Sequence, residues 1–126
     1  MFTKLFAVCL LVDDFEKSLK FYKDTLGLKV KTRDKNKFAN FDLEGTELAI
    51  FQKDEATTMF PKKYMHVGGG VSLGFLVSNL DKACSDLGIG GVEIIEGPKT
   101  TSWGQKVAYF RDPDGNIWEI SEPFVE

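Results

Sequence analysis

GQKVAYFRDPDGNIWEISEP, Gly104 to Pro123, is the stretch that decides the fold. Gln105 to Arg111 is a β-rich run, Asp112 to Asn116 (DPDGN) is a turn, and Ile117 to Ser121 is a return strand. Proline presets its own φ, and glycine takes a positive φ at little steric cost, so Pro113-Asp114-Gly115 is turn chemistry with a mechanism. The segment therefore reads as a β-hairpin. Side chains alternate along the return strand: with Trp118 and Ile120 on a core, Ile117, Glu119 and Ser121 face the other way. Glu119 is then a carboxylate fixed on a rigid strand among apolar neighbours. It is either part of a solvated face or a functional group. What decides is whether the rest of the chain builds a pocket over it.

Outward from the hairpin, the chain has 126 residues, enough for one domain or two small fused modules. Hydrophobic residues make 43% and charged residues 28%, an ordinary globular profile. A net charge of -3 with mixed signs gives neither a nucleic-acid footprint nor a membrane-surface patch, and no apolar run reaches the length of a membrane span. Cys9 and Cys84 are the only cysteines, outside any CxxC pair, and the residues before Cys9 do not read as a signal peptide. Two free thiols in a reducing cytoplasm are expected.

Phe2 to Val12 (FTKLFAVCLLV) suits a buried strand, and Asp14 is a helix N-cap. Phe15, Leu19 and Tyr22 fall on one apolar helix face, and Gly27 ends that helix. Leu28 to Arg33, Phe38 to Leu43 and Thr46 to Gln52 are strands, so residues 1–52 read β-α-β-β-β. Residues 53–68 form a linker carrying Phe60, Tyr64 and His66, whose aromatics are candidates for a lid. Residues 69–126 repeat the pattern: strand Val71 to Val77, N-cap Asn79, helix Leu80 to Leu87 stopped by Gly88, strand Val92 to Ile95, a loop containing Pro98, and the closing hairpin. The halves superimpose at an offset of 65 around Val12/Val77 and of 70 around Asp42/Asp112, with both helices running to Leu-Gly, Leu26-Gly27 and Leu87-Gly88. A duplicated β-α-β-β-β unit covers one face of each sheet with its helix and leaves the other face free to curve around a ligand.

Three blocks carry a resemblance: VDDFEKSLKFYKDTLGL (Val12 to Leu28), GGVSLGFLVSNLDKA (Gly69 to Ala83) and GPKTTSWGQKVAYFRDPDGNIWEISEP (Gly97 to Pro123). Together the chain resembles the glyoxalase/bleomycin-resistance/extradiol-dioxygenase (vicinal oxygen chelate) superfamily along essentially its whole length. The resemblance implies an α+β fold of two tandem β-α-β-β-β modules forming a cup-shaped, partly open mixed sheet with helices on the outer face. It also implies a homodimer. It does not fix a reaction, because the superfamily spans isomerases, epimerases, dioxygenases, thiol transferases and drug binders.

Metal-dependent members of that superfamily place ligands on the first and last strand of each module, usually His, Gln or Glu. Carried onto this chain by motif and repeat, those positions are Ala7, Ala49, Ser72 and Glu119. Alanine has no donor and neutral serine is a poor one, so the expectation is no bound metal and no cofactor. Glu47, on the same strand face as Ala49, and His66 in the linker are the residues left to rescue a metal site. The cup face is instead expected to be mostly apolar, with Cys9, Phe51, Ser72, Tyr109 and Arg111 lining a site for an aromatic or hydrophobic ligand. Trp103-Gly104 resembles the Trp-Gly that precedes the seventh strand in drug-sequestering members, so Trp103, with Phe60 and Tyr64, is a candidate stacking surface. Glu119 either contacts the ligand, as an acceptor or general base, or pairs with Arg111 across the hairpin. The leading expectation is a metal-independent small-molecule-binding protein that sequesters a ligand such as an antibiotic. The alternative is a glyoxalase-like lyase, isomerase or dioxygenase with Glu119 as base. A third is a family member kept for protein contact, with a filled cup.

Overall fold

The structure is a computed structural model and describes residues 2–3, 5–58 and 61–123. The chain divides into two compact units, residues 1–68 and 69–126. In the first, strand β1 (Ala7–Val12) leads into helix α1 (Phe15–Lys20), whose last turn widens to a π-helical turn over Phe21–Thr25. Strands β2 (Val30–Asp34), β3 (Phe38–Phe41) and β4 (Glu47–Gln52) follow. The second unit contains β5 (Ser72–Leu76), α2 (Leu80–Ile89), β6 (Ile94–Thr100), β7 (Lys106–Arg111) and β8 (Ile117–Ser121). The sheets are ordered β1-β4-β3-β2 and β5-β8-β7-β6. In each, the first strand pairs in parallel with the last and the other pairings are antiparallel. This is the α+β fold of two tandem β-α-β-β-β modules that characterises glyoxalase/bleomycin-resistance proteins.

Hydrophobic alternation explains which sheet face each helix covers. Leu10, Val12, Ala39, Phe41, Leu48 and Ile50 are buried with Phe15, Leu19 and Tyr22 of the first helical segment. Tyr22 and Phe41 rings lie 5.7 Å apart across this core. In the second unit Ala108, Phe110, Trp118 and Ile120 are buried with Leu80 and Leu87, and Phe75 stacks on Trp118 at 4.4 Å. Removing that apolar area from water is the main stabilising term of each unit.

The repeat extends to hydrogen bonds. Asp14 and Asn79 cap their helices, accepting from the backbone N–H of Lys17 and Lys82. A second anchor comes from the far end of each module. The Phe15 N–H donates to Gln52 Oε1 at 2.8 Å, and the Leu80 N–H donates to Glu122 Oε2 at 2.8 Å. Gln52 also donates through Nε2 to the Asp13 carbonyl at 2.7 Å. Each anchor satisfies an orphan N–H of the first helical turn and ties the helix to the strand end beside it. Gln52→Ala and Glu122→Ala are each expected to cost about 1–2 kcal/mol in urea unfolding, whereas Glu122→Gln, which keeps an acceptor, costs clearly less.

Four expectations change. The first strand begins at Ala7, where its ladder with β4 begins opposite Glu47, so Phe2, Leu5 and Phe6 precede the ladder and are exposed rather than buried. Gly88 does not stop the second helix, which runs on to Ile89. The left-handed residue after it is Gly91 (φ +86), the counterpart of Gly27 (φ +75), so the helix ends match Gly27 to Gly91 rather than to Gly88. One interior glycine costs only about 1 kcal/mol, too little to end a helix packed through Leu87. The expected loop after Ile95 is strand as far as Thr100, with Pro98 inside it. β6 is an edge strand, and its pairing with β7 shifts register between Glu96 and Lys99, which is where a residue without an N–H is tolerated. Residues 53–68 are also more than a tether: they form short helical turns at Lys53–Thr58 and Lys62–Tyr64, cluster with the first unit, and bury Ala56 completely.

Candidate ligand-binding site

The face of each sheet turned away from its helix is a small lattice set by strand register. In the second unit it has three rungs. Ser72 and Arg111 flank Ile117, Gly74 and Tyr109 flank Glu119, and Leu76 and Val107 flank Ser121. Alternation puts these nine residues on one face because Trp118, Ile120, Ala108 and Phe110 take the other. The rung of Val107 and Ser121 is buried at those two residues, while Ser72, Gly74, Arg111 and Ile117 are exposed.

Glu119 is the centre of this lattice and is half-buried. The Tyr109 hydroxyl donates to its Oε1 at 2.8 Å. That hydrogen bond, then partial burial, then the negative charges of Glu119 and Glu96 hold the Tyr109 phenol above the usual tyrosine range. Lys99 Nζ lies 5.9 Å from the Tyr109 ring centroid and pairs with Glu96 at 3.4 Å. On the other flank Gly74 leaves the carboxylate open: a Cβ there would sit 3.7 Å from Glu119 Oε2, ordinary contact that any larger side chain would turn into a cover.

The expected cross-hairpin pair of Glu119 with Arg111 does not form. Register sets Tyr109, not Arg111, opposite Glu119, and Arg111 lies opposite Ile117. A phenol on the same rung reaches the carboxylate directly, so the longer diagonal reach to the next rung is not used. No ion pair among the described residues includes either Glu119 or Arg111.

The remaining expected site residues fall in two groups. Trp103 sits off the lattice, in the turn between β6 and β7, 63% exposed, with its indole N–H donated to Gln105 Oε1 at 3.0 Å. Cys9, Phe51 and Tyr64 belong to the first unit. Cys9 lies opposite Ala49 on the edge strand. The residue is exposed, yet its sulfur loses enough water to neighbouring protein for desolvation to push the thiol pKa up, which keeps it a weak nucleophile. Phe51 packs edge-to-face on Phe38 at 5.6 Å. Tyr64 is exposed, with Lys63 Nζ 5.0 Å from its ring centroid. Phe60 lies outside the described residues.

The first sheet's free face contains a polar relay that the sequence reading missed. Asn40 Oδ1 accepts from both the backbone N–H (2.9 Å) and the hydroxyl of Thr32, and Asn40 Nδ2 donates to Glu47 Oε1. The signal was available: Asn40 is the one polar residue of the β3 run FANF, and the repeat aligns it with Tyr109, since Asn40 faces Ala49 as Tyr109 faces Glu119.

The register also tests the metal positions. Ala7 lies opposite Glu47 and Cys9 opposite Ala49, just as Ser72 lies opposite Ile117 and Gly74 opposite Glu119. Ala7, Ala49, Ser72 and Glu119 are therefore equivalent positions in the two modules, and only Glu119 carries a donor suited to a divalent ion. Glu47 is engaged by Asn40, and His66 is exposed beyond the Lys62–Tyr64 turn. No group of three His, Cys, Asp or Glu side chains among the described residues is close enough together to hold an ion. The residues present do not fit the superfamily's metal.

Fold and repeat agree with the family comparison. The glyoxalase-like domain family model matches residues 5–125, and the chain belongs to that family. It is 34% identical over 123 residues to the uncharacterized protein YraH of Bacillus subtilis, covering 93% of this chain and 96% of that one. It is 32% identical over 110 residues to the metallothiol transferase FosB of Lysinibacillus sphaericus, covering 86% and 74%. A solved glyoxalase/bleomycin resistance protein/dioxygenase from Nocardioides superimposes with a TM-score of 0.81 at 25% identity, covering 97% and 84%. No described helix is long and apolar enough to cross a membrane.

Proposed function

We propose that this protein is a metal-independent small-molecule-binding member of the glyoxalase-like family. Its ligand is an aromatic or hydrophobic compound, of which an antibiotic is one kind, that donates a hydrogen bond to Glu119. The observation that carries this reading is the state of the four positions that hold metal in metal-dependent relatives. Two are alanine, one is an exposed serine, and the fourth, Glu119, accepts from Tyr109 while Gly74 leaves its second oxygen open. A carboxylate steadied by a neutral donor keeps acceptor capacity for a ligand. Leu76 and Ile117, both exposed, supply apolar surface beside it.

The similarity to a metallothiol transferase supports a second reading, a glyoxalase-like lyase, isomerase or dioxygenase that works with a metal. Elemental analysis separates the two. Protein purified without chelator is expected to contain no stoichiometric metal, and nickel, zinc, manganese and iron(II) are expected to leave its unfolding temperature unchanged. One tightly held ion per chain, with stabilisation on reloading, overturns the metal-independent reading. A thermal-shift screen of aromatic compounds then seeks the ligand.

The same reading includes a cytoplasmic homodimer with no nucleic-acid or membrane partner. The free thiols Cys9 and Cys84 support a reducing compartment. The exposed residues Phe2, Leu5 and Phe6 support a surface covered by a second copy. Sedimentation equilibrium is expected to give twice the chain mass, and Phe2→Ser/Phe6→Ser to shift it toward the monomer. A wild-type monomer at all accessible concentrations would sink this part.

A further inference from the structure

The free face of the first sheet holds a second carboxylate whose surroundings are not explained by the Glu119 site. Glu47 is half-buried at the first residue of β4, opposite Ala7 on the edge strand β1. Its neighbour Asn40 is 8% exposed. The orientation of that amide is fixed by chemistry. The Thr32 backbone N–H only donates, so the group it meets must be Oδ1, and the group turned to Glu47 must be Nδ2. Glu47 is thus steadied by a neutral donor at one oxygen. No ion pair among the described residues includes it.

Next to Glu47 on the same face is a strip without charge. Going along the two paired strands, Ala7 and Glu47 are followed by Cys9 and Ala49, then by Leu11 and Phe51. Cys9 is exposed, and Ala7, Leu11 and Phe51 are half-buried. The side chains beside the carboxylate are small, and the strip ends against the Phe38–Phe51 pair. At about 3.3 Å per residue, the four steps from Glu47 to Phe51 span about 13 Å, the length of a small extended amphiphile. A half-buried anion with no ion pair among the described residues calls for a positive partner, and an uncharged strip ending in aromatic rings calls for an apolar body.

We infer that this face binds a small organic amine carrying an apolar group. The ammonium sits on Glu47, and the apolar body lies over Cys9 toward Leu11 and Phe51. The residues it is argued from all belong to the first unit. The mismatch of the repeat supports the assignment. Glu47 occupies the position that is Ile117 in the second module, and Ala49 the position that is Glu119, so the two faces carry their carboxylates on different rungs.

The probe is 2-phenylethylamine, with 2-phenylethanol as its uncharged counterpart, tested on the full chain carrying Cys84→Ser so that Cys9 is the one reactive thiol. The amine is expected to perturb amide resonances of β1 and β4 and to slow alkylation of Cys9 by iodoacetamide several-fold. The alcohol at the same concentration has little effect. Glu47→Gln keeps a side chain that Asn40 can engage and is expected to weaken amine binding about tenfold or more, the loss of a charge-assisted contact. Glu119→Gln is expected to leave amine binding and Cys9 protection unchanged. Ala49→Leu, which projects bulk into the strip, is a second variant that reports on the site should Glu47→Gln fold poorly. The proposal is overturned if the amine neither shifts those resonances nor protects Cys9, if the alcohol protects equally, or if protection survives Glu47→Gln. Protection lost in Glu119→Gln but kept in Glu47→Gln assigns the amine to the Glu119 lattice and also overturns it.

Discussion

Replacing Asp112 by alanine is expected to cost about 2–4 kcal/mol and to lower the thermal unfolding midpoint by about 10 °C. Asp112 Oδ1 accepts from the backbone N–H groups of Asp114 (3.0 Å) and Asn116 (2.8 Å), and Oδ2 accepts from Asn116 Nδ2 at 2.8 Å. Asp112 and Asn116 are both buried. Alanine removes three acceptor contacts at once and strands donors in a place water does not freely reach, the costly side of hydrogen-bond energetics. Asp112→Asn keeps one acceptor oxygen but turns an NH2 group toward donors, so an intermediate loss is expected. The backbone contacts across the turn, Asp112 N–H to the Asn116 carbonyl and Gly115 N–H to the Asp112 carbonyl, both at 3.0 Å, depend on the same geometry. Chemical denaturation of the variants measures the effect. A loss below about 1 kcal/mol for Asp112→Ala, the ordinary size for a point substitution, means the turn holds its shape without the carboxylate. The functional consequence is register: this turn sets Tyr109 opposite Glu119.

The fold was legible because the informative residues act locally. Asp14 and Asn79 cap their helices through contacts three residues away, and DPDGN closes a hairpin on itself. The offsets of 65 and 70 between modules reappear as strand register, with Ala7 opposite Glu47 and Ser72 opposite Ile117. The misreadings have physical reasons. Gly88 looks like a helix stop, but a buried Leu87 beside it outweighs one glycine's entropy, and the stop falls at Gly91. Pro98 looks like a loop, but an edge strand with a shifted register has room for it. The anchors Gln52 to Phe15 and Glu122 to Leu80 join residues far apart in sequence, 37 and 42 positions, and no local pattern announces them.

The arrangement of the candidate site was legible in part. Alternation put Ser72, Tyr109, Arg111 and Glu119 on one face, and register arranges them as that face requires. What alternation does not give is which of two neighbours on that face a side chain reaches. Glu119 had Tyr109 directly across and Arg111 on the diagonal, and opposite charge suggested the wrong one of the two. Trp103 was singled out by its resemblance to a motif, but the indole N–H is taken by Gln105 two residues on, a local contact that holds the ring in its own turn. Asn40 escaped notice because a lone amide in an apolar strand carries meaning only through its partners, Thr32 and Glu47, on two different strands.

Glu119→Gln is expected to reduce the affinity of a ligand found by the aromatic screen about tenfold or more, the loss of a hydrogen bond to a charged acceptor. Tyr109→Phe is expected to weaken it less, because the phenol steadies the carboxylate without meeting the ligand. The double variant is expected to lose little more than Glu119→Gln alone, since Tyr109 acts through Glu119. A structural role for the pair predicts the reverse pattern: equal losses of stability with affinity unchanged. The titration of Tyr109 gives a readout that folding alone does not move. Its phenol is held protonated, first by the hydrogen bond to Glu119, then by burial and by the charges of Glu119 and Glu96. The folded state therefore keeps this proton more tightly than the unfolded state. The stabilisation is fully present below the ordinary tyrosine value of about 10. It is lost as pH rises through the higher folded value. Ultraviolet titration, with Tyr109→Phe subtracted to remove Tyr22 and Tyr64, is expected to show a high-titrating phenol that moves back toward the ordinary value in Glu119→Gln. A ligand that donates to Glu119 draws on the same negative charge, so its binding is expected to ease the Tyr109 titration downward. A Tyr109 titration indifferent to both Glu119→Gln and ligand would separate the phenol from the carboxylate. It would remove Glu119 as the centre of this site.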